Sequence, residues 1–160
     1  FWPGEDTLLC KDITDSGKRI VYDPWVVVNH HRRRLFGPHL RQLGRYAFHR
    51  GYFAKRYPSN SLKLSYFIPS AFAVYLAFWL PVSAFSTVPE SFAWYAQAAF
   101  LLPLAFYSAL VLLTSFSFNP LTWFLTAAAV FTSHVWYGLR FLQGLFAAKA
   151  PCEFIGKDHV

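Results

Sequence analysis

Three apolar stretches decide the fold: YFIPSAFAVYLAFWLPVSAFSTV at residues 66–88, FAWYAQAAFLLPLAFYSALVLLTSF at 92–116 and LTWFLTAAAVFTSHVWYGLRFLQGLF at 121–146. Each is longer than the roughly 20 residues that a helix needs to cross a hydrocarbon core. Between residues 64 and 139 the only charged side chain is Glu90. About three transmembrane helices are therefore predicted. A large soluble helical core is disfavoured, because its helices would still need a polar face.

The segment before these stretches is strongly basic. Nine of the fifteen Lys and Arg residues lie between residues 32 and 63, and no Asp or Glu occurs between residues 24 and 89. Such an excess of cations beside a membrane span favours the cytoplasmic side. The third apolar stretch also carries His134 and Arg140, which are costly in lipid. It is interpreted either as a tilted span or as a segment that lies partly along the interface.

Residues 38–57 have the pattern of an amphipathic helix. One side is apolar and the other basic, with Leu40, Leu43, Ala47 and Phe48 on the first and Arg41, Arg45, His49 and Arg50 on the second. A basic amphipathic helix with aromatic residues, placed just before an apolar span, is typical of the membrane interface. This pattern predicts that the helix binds anionic lipid headgroups.

The first 34 residues have a mixed α/β pattern. A short helix is predicted over residues 5–16, with Asp6 or Thr7 as N-cap and Gly17 as the C-terminal stop. Two β-rich runs follow, at residues 19–23 and 26–28. Helix, strand, turn and strand in this order indicate the end of an α/β unit that is too small to fold alone.

Two polar motifs in this region can carry chemistry. Gly4-Glu5-Asp6-Thr7 puts adjacent carboxylates at a helix N-terminus, where the dipole favours an ionised group that can act as a base. A plain helix cap is the alternative. His30-His31 is followed by three arginines, a set that can bind a metal ion and a diphosphate. A surface turn with a membrane-facing basic run is the alternative here.

Two further motifs lie on the predicted helices. Gln42 and Arg45, three residues apart with Tyr46 adjacent, can bind a sugar or a diphosphate, unless they only continue the interfacial stripe. The run His134-Val135-Trp136-Tyr137-Gly138 precedes Arg140 and Gly144. Polar groups at membrane depth usually face protein or a cavity. Headgroup anchoring is the alternative for this last motif.

Taken in order, these motifs resemble a known family. The run GEDT, GKRIVYDP, VVVNHHRR and QLGRY, followed by an apolar tail, resembles the C-terminal half of bacterial and archaeal family 2 glycosyltransferases. The resemblance covers essentially the whole chain and is strongest over residues 3–69. It implies the C-terminal part of a GT-A fold at 1–34, a basic interfacial helix at 35–63, a transmembrane region at 64–147 and a tail at 148–160. The chain as a whole is expected to be predominantly α.

The resemblance also implies roles for individual residues. Glu5-Asp6 matches the family's Glu-Asp motif, so Asp6 is the expected catalytic base and Glu5 assists it or contacts the acceptor. His30 matches a histidine that helps hold a divalent metal, with His31 as the fallback. The residues expected to bind the acceptor or the diphosphate are Gly4, Arg33, Gln42, Arg45 and Tyr46. The last three match Gln-x-x-Arg-Trp of processive relatives, with Tyr in place of Trp. Because of this departure, the resemblance implies membership of the family but not processive synthesis.

The implied activity is inverting transfer of a sugar from a nucleotide-sugar donor to a lipid-linked or saccharide acceptor. Mg²⁺ or Mn²⁺ is the expected cofactor in the intact enzyme. The implied location is the cell membrane, multi-pass, with the catalytic part cytoplasmic. The chain has no Met and no Asp-x-Asp in its first 60 residues. The nucleotide-binding half is therefore expected upstream of Phe1, and the chain is expected to be inactive alone.

Two other functional classes compete with this interpretation. The first is a non-catalytic membrane anchor or assembly subunit, which would use the spans and the basic helix alone. The second is nucleic-acid binding by the arginine-rich run, since such runs can bind phosphate backbones. With apolar spans so close, anionic lipid is the simpler partner, and no nucleic-acid partner is predicted.

Overall fold

The computed structural model describes residues 5–31, 33–85 and 90–148. Helices dominate this part of the chain, as predicted, and none of its residues forms a strand. The helices are α1 Glu5–Asp15, α2 Gly37–Arg56, α3 Pro58–Ser61, α4 Ile68–Phe85, α5 Glu90–Thr114 and α6 Pro120–Phe146, with a 3-10 turn at Leu64–Tyr66. The five helices predicted from the sequence correspond to α1, α2, α4, α5 and α6, with ends shifted by only a few residues.

The two predicted strands are not formed. Residues 19–23 and 26–28 are exposed and have no ladder hydrogen bonds, although their β-branched side chains favour extended structure. A strand is stabilised by pairing with a neighbouring strand, and none of the described residues supplies one. The α/β character predicted for residues 1–34 is thus reduced, in the described part, to α1 and an extended segment.

Helix α1 has the C-terminal stop that was predicted but not the predicted N-cap. Gly17 has φ 76°, and the amides of Gly17 and Lys18 donate to the carbonyls of Thr14 and Ile13, which is a Schellman C-cap. At the other end the helix starts at Glu5, so Asp6 lies inside the first turn. Asp6 and Thr7 therefore both lie within the helix, and the prediction that one of them is the N-cap is wrong.

The centre of the fold is the crossing of α2 and α6. Glycines allow the two backbones to touch: a Cβ at Gly51 would collide with the Phe141 carbonyl oxygen, and one at Gly144 with the Phe48 carbonyl oxygen. Phe141 fills the space beside this contact and is fully buried. With Ala47 and Ala54 it forms the described hydrophobic core.

Helix α4 packs on another side of α6. A Cβ at Gly138 would collide with the Pro69 carbonyl oxygen, so these backbones also approach closely. The buried Ser70 hydroxyl donates to the Gly138 carbonyl at 3.2 Å. Helix α6 is therefore the element to which both α2 and α4 are attached.

His49 occupies a different place from the one predicted. The basic exposed side of α2 was expected to include it, but it is 4% exposed. Its Nδ1 lies 3.0 Å from the Arg45 carbonyl oxygen, and within the described part of the chain its Nε2 has no hydrogen-bond partner. Because α2 packs against both α6 and α3, a wider arc of its surface is covered than its apolar side chains indicate.

Helix α5 is the apolar helix with the least cover. Over residues 5–31, 33–85 and 90–148, one stretch, Gln97–Thr114, is long and apolar enough to cross a membrane, and little of it is buried inside the protein. Its C-terminal end is held to α6 by the Trp123 indole, which donates to the Leu112 carbonyl at 2.8 Å. A shorter apolar helical stretch runs over Leu64–Trp79.

Candidate functional site

Asp6 opens onto a pocket of about 530 Å³ on the side of α1. Its walls come from α1, from Ile20 in the extended segment and from Ser59 in α3. The α1 residues that line it are Asp6, Thr7, Cys10, Lys11, Thr14 and Asp15. Ser59 belongs to α3, which directly follows the basic helix α2. The pocket therefore brings Asp6 close to the part of the chain that leads into the apolar region.

The two carboxylates of this pocket differ in their partners. Asp15 is paired with Lys11, and this hydrogen bond raises the pKa of the Lys11 ammonium above its usual value. Asp6 accepts hydrogen bonds from the Thr7 backbone amide at 2.7 Å and the Thr7 hydroxyl at 3.4 Å, both through Oδ1. No described residue hydrogen-bonds to its Oδ2. Asp6 is exposed and has no cation paired with it in the described chain, so it is the better placed of the two to accept a proton.

The other predicted residues of the N-terminal segment are less enclosed. Gly4 lies outside the described residues, and Glu5 is the first residue of α1. His30, His31 and Arg33 are exposed in the extended segment that leads to α2. His30, His31 and Arg33 do not line the Asp6 pocket.

A metal site is not complete in the described residues. These residues contain no group of three or more His, Cys, Asp or Glu side chains that could hold a metal ion. His30 could contribute one ligand, but it is not part of such a group. The described part of the chain therefore does not supply, by itself, the set of ligands that Mg²⁺ or Mn²⁺ needs.

The predicted Gln42, Arg45 and Tyr46 set lies on α2. Gln42 and Arg45 are half-buried, whereas Tyr46 is 46% exposed. The set does not line the Asp6 pocket. Asp6 and these three side chains therefore lie on two separate surfaces of the protein.

The motif at residues 134–138 and the arginine after it attach α6 to α2. The Trp136 indole donates to the Leu40 carbonyl at 2.8 Å. The Arg140 guanidinium lies 5.2 Å from the centre of the Phe48 ring and 5.9 Å from that of Trp136. Its Nη1 donates to Gln143 at 2.7 Å. Arg140 therefore lies against two aromatic rings at the α2–α6 contact, so it is shielded by protein on that side.

A second pocket, of about 310 Å³, lies between α2, α6 and the start of α4. We call it the interhelical pocket; its polar and aromatic lining consists of His39, Ser65, Tyr66, Ser133, His134 and Tyr137. His39 Nε2 and the Ser133 hydroxyl are 3.1 Å apart, and the Tyr107 hydroxyl is 2.7 Å from His134 Nδ1. His134 therefore lies at a cavity, which is one of the positions that the sequence left open for it.

Sequence reasoning missed His39, Ser65 and Ser133. His39 is one helical turn before Leu43, and both line the interhelical pocket, so a polar residue in register with the apolar side of α2 was the available signal. Ser65 and Ser133 had no comparable signal, because only the packing of α2 and α4 on α6 brings them to the same cavity.

Comparison of the chain with protein-family models, with curated proteins and with solved structures finds no match. The function of the chain is therefore inferred from the geometry of the two pockets and from the motifs in the sequence.

Proposed function

We propose that this chain is the base-bearing, membrane-attached part of an inverting glycosyltransferase that transfers a sugar from a nucleotide-sugar donor to a membrane-associated acceptor. The observation that supports it is the position of Asp6. Its carboxylate is exposed to a pocket of about 530 Å³, and the described residues leave Oδ2 without a hydrogen bond. A pocket of this size is within the range that binds small molecules.

In the proposed reaction Asp6 removes the proton from an acceptor hydroxyl. The hydroxyl oxygen attacks the anomeric carbon from the face opposite the nucleoside diphosphate. A new carbon–oxygen bond forms as the bond to the diphosphate oxygen breaks, and the diphosphate leaves with the electron pair. Such positioned proton transfer contributes about 10²- to 10⁴-fold to a rate. Glu5, adjacent to the base, assists it or contacts the acceptor.

The developing negative charge on the diphosphate needs cationic partners. Arg33 in the extended segment and Arg45 on α2 are the candidates, with Gln42 and Tyr46 as hydrogen-bonding or stacking neighbours. Cations placed where charge develops in the transition state act by electrostatic stabilisation. For these groups to act with Asp6, the two surfaces would have to face a common substrate.

The proposed membrane location extends the finding that α5 contains a stretch long and apolar enough to cross a membrane. Helices α4 and α5 are proposed as spans of a multi-pass protein in the cell membrane, with α1 and α2 on the cytoplasmic side and with α6, which packs along α2, lying partly at the interface. The large apolar side chains that α5 exposes are consistent with lipid contact; they include Trp94, Leu101, Leu102, Phe106, Leu110 and Leu113. The basic residues of α2 would then lie near anionic headgroups.

The decisive experiment replaces Asp6 in the complete enzyme. Asp6→Asn keeps the size and hydrogen-bonding shape of the side chain but removes the base, so the transfer rate should fall by about 10²-fold or more. Asp12→Asn is the matched control, because Asp12 is an exposed carboxylate of the same helix that does not line the pocket. Membrane insertion is measured by flotation and should be unchanged in both. An Asp6→Asn enzyme with the wild-type rate would refute the assignment.

One observation favours a second function, the membrane anchor or assembly subunit. The buried core lies in the α2–α6 crossing, whereas α1 does not pack against the helices as closely as α2 and α4 do. An anchor would retain that core and tolerate changes at Asp6. Sugar transfer that depends on Asp6 distinguishes the two functions.

A further inference from the structure

The interhelical pocket has chemistry that neither the proposed base nor the diphosphate contacts use. It is separate from the Asp6 pocket, since no residue in the described part of the chain lines both. Its volume of about 310 Å³ is at the lower end of the range for ligand sites, so it suits one compact group rather than an extended molecule. Two imidazoles, two serine hydroxyls and two phenols belong to its lining residues, although most of the surface that lines the cavity is apolar.

The charge around this pocket has one sign. No carboxylate of the described residues lines it, and the chain has no Asp or Glu between residues 24 and 89, the part that supplies its α2 and α4 walls. The Arg50 guanidinium lies 4.8 Å from the centre of the Tyr66 ring. Tyr66 lines the pocket, so this cation is next to the lining although Arg50 is not part of it. A ligand here meets hydroxyl and imidazole donors beside a cation, which favours an anion.

The position of the pocket indicates the source of that anion. It lies where the basic helix α2 meets the first turn of the apolar helix α4, so its surroundings change from polar to apolar over a few residues. Beside it, α4 exposes Ile68, and further along exposes Val74 and Phe78. A free anion would use only the polar lining, whereas a lipid would place its headgroup in the pocket and its chains along these apolar side chains.

We propose that the interhelical pocket binds the phosphate of one anionic phospholipid headgroup. This inference rests on the proposed membrane location, but not on sugar transfer. His39, Ser65 and Ser133 would supply hydrogen bonds, and Arg50 would supply the compensating charge next to Tyr66. The bound lipid would connect α2, α4 and α6 at the membrane surface, since its site is built from all three.

The test measures lipid retention by the full chain with native mass spectrometry in detergent. Phosphatidylglycerol should be retained at one molecule per chain in preference to phosphatidylcholine. Arg50→Gln should weaken retention about tenfold, the effect of losing one charge-assisted contact. Arg41→Gln is the matched control: it is exposed on α2, nine residues away, and thus roughly on the opposite side of the helix. It should change retention by less than about twofold.

A second pair of variants tests the pocket independently of whether Arg50→Gln folds. Ser65→Trp adds bulk at an exposed residue of the pocket and should block the lipid without changing the charge, while Leu62→Trp, exposed and outside the lining, should not. Equal losses for Arg50→Gln and Arg41→Gln, or equal retention of the two lipids, would overturn the proposal. So would displacement of the lipid by inorganic phosphate at equal concentration, which would identify a free-anion site. If the wild-type chain shows no preference for phosphatidylglycerol while the complete enzyme still shows Asp6-dependent transfer, only this inference is refuted.

Discussion

Gly51 of α2 lies directly against the main chain of Phe141 in α6, so closely that a methyl group at position 51 would collide with the Phe141 carbonyl oxygen. The contact is repeated further along the crossing, where Gly144 of α6 meets the Phe48 carbonyl oxygen. Each helix thus contributes a glycine against the backbone of the other. The crossing depends on backbone proximity more than on large interlocking side chains.

This relationship predicts the effect of adding one methyl group. Gly51→Ala should lower the free energy of unfolding by about 1–3 kcal/mol, because backbone atoms cannot move aside as a flexible side chain can. Gly37→Ala is the control, since a Cβ there meets nothing within 4 Å. Thermal unfolding of the detergent-solubilised chain measures both. Equal melting temperatures for the two variants would contradict the close contact.

The cap of α6 gives a second prediction. Asn119 Oδ1 accepts from the amides of Leu121 and Thr122 at 3.0 and 3.2 Å. Asn119→Ala should therefore cost about 1 kcal/mol, and amide exchange at these two positions should become faster. Asn119→Ser keeps a capping oxygen and should restore most of the loss. Unchanged exchange in the alanine variant would show that the cap contributes nothing.

A charge placed in α5 tests its membrane location. Phe106 is 69% exposed near the middle of the apolar stretch Gln97–Thr114. Phe106→Arg should reduce insertion, because an arginine at the centre of a span costs about 2.5–3.5 kcal/mol on insertion scales. Phe118→Arg is the control, since Phe118 is exposed in the turn before α6. Carbonate extraction compares them, and equal retention in the membrane would argue that α5 does not span it.

Cys10 reports on the side of the membrane that α1 occupies. It is a free, exposed cysteine that lines the same pocket as Asp6. In a Cys152→Ser background, a membrane-impermeant maleimide should label it only after the cells are permeabilised, because α1 is proposed to be cytoplasmic. Labelling in intact cells would place α1 outside and would contradict the cytoplasmic site.

The elements that follow from local signals could be predicted. The end of α1 follows from Gly17, the start of α6 from Asn119 and Pro120, and the span of α5 from its uninterrupted apolar composition. Strand pairing is not local. Residues 26–28 have strand-forming side chains, yet stay extended and unpaired in the described chain, since a strand depends on a neighbour that sequence pattern alone does not identify.

The two candidate sites differ in the same way. Asp6 could be proposed from the sequence because its motif, its helix and part of its pocket lie within a few residues of one another. The interhelical pocket could not, because His39 and Ser133 are 94 positions apart in the chain and meet only when α2 packs on α6. The burial of His49 likewise follows from cover on two sides of α2 and not from its neighbours in sequence.

By itself the sequence determined which segments are helical, which are apolar and where positive charge is concentrated, because these properties depend on neighbouring residues. Only the tertiary structure decided that α6 carries both α2 and α4, since close backbone contact at Gly51, Gly138 and Gly144 requires a specific partner surface opposite each glycine. That packing assembles the interhelical pocket from three helices, and its physical reason is the absence of a Cβ at those three positions.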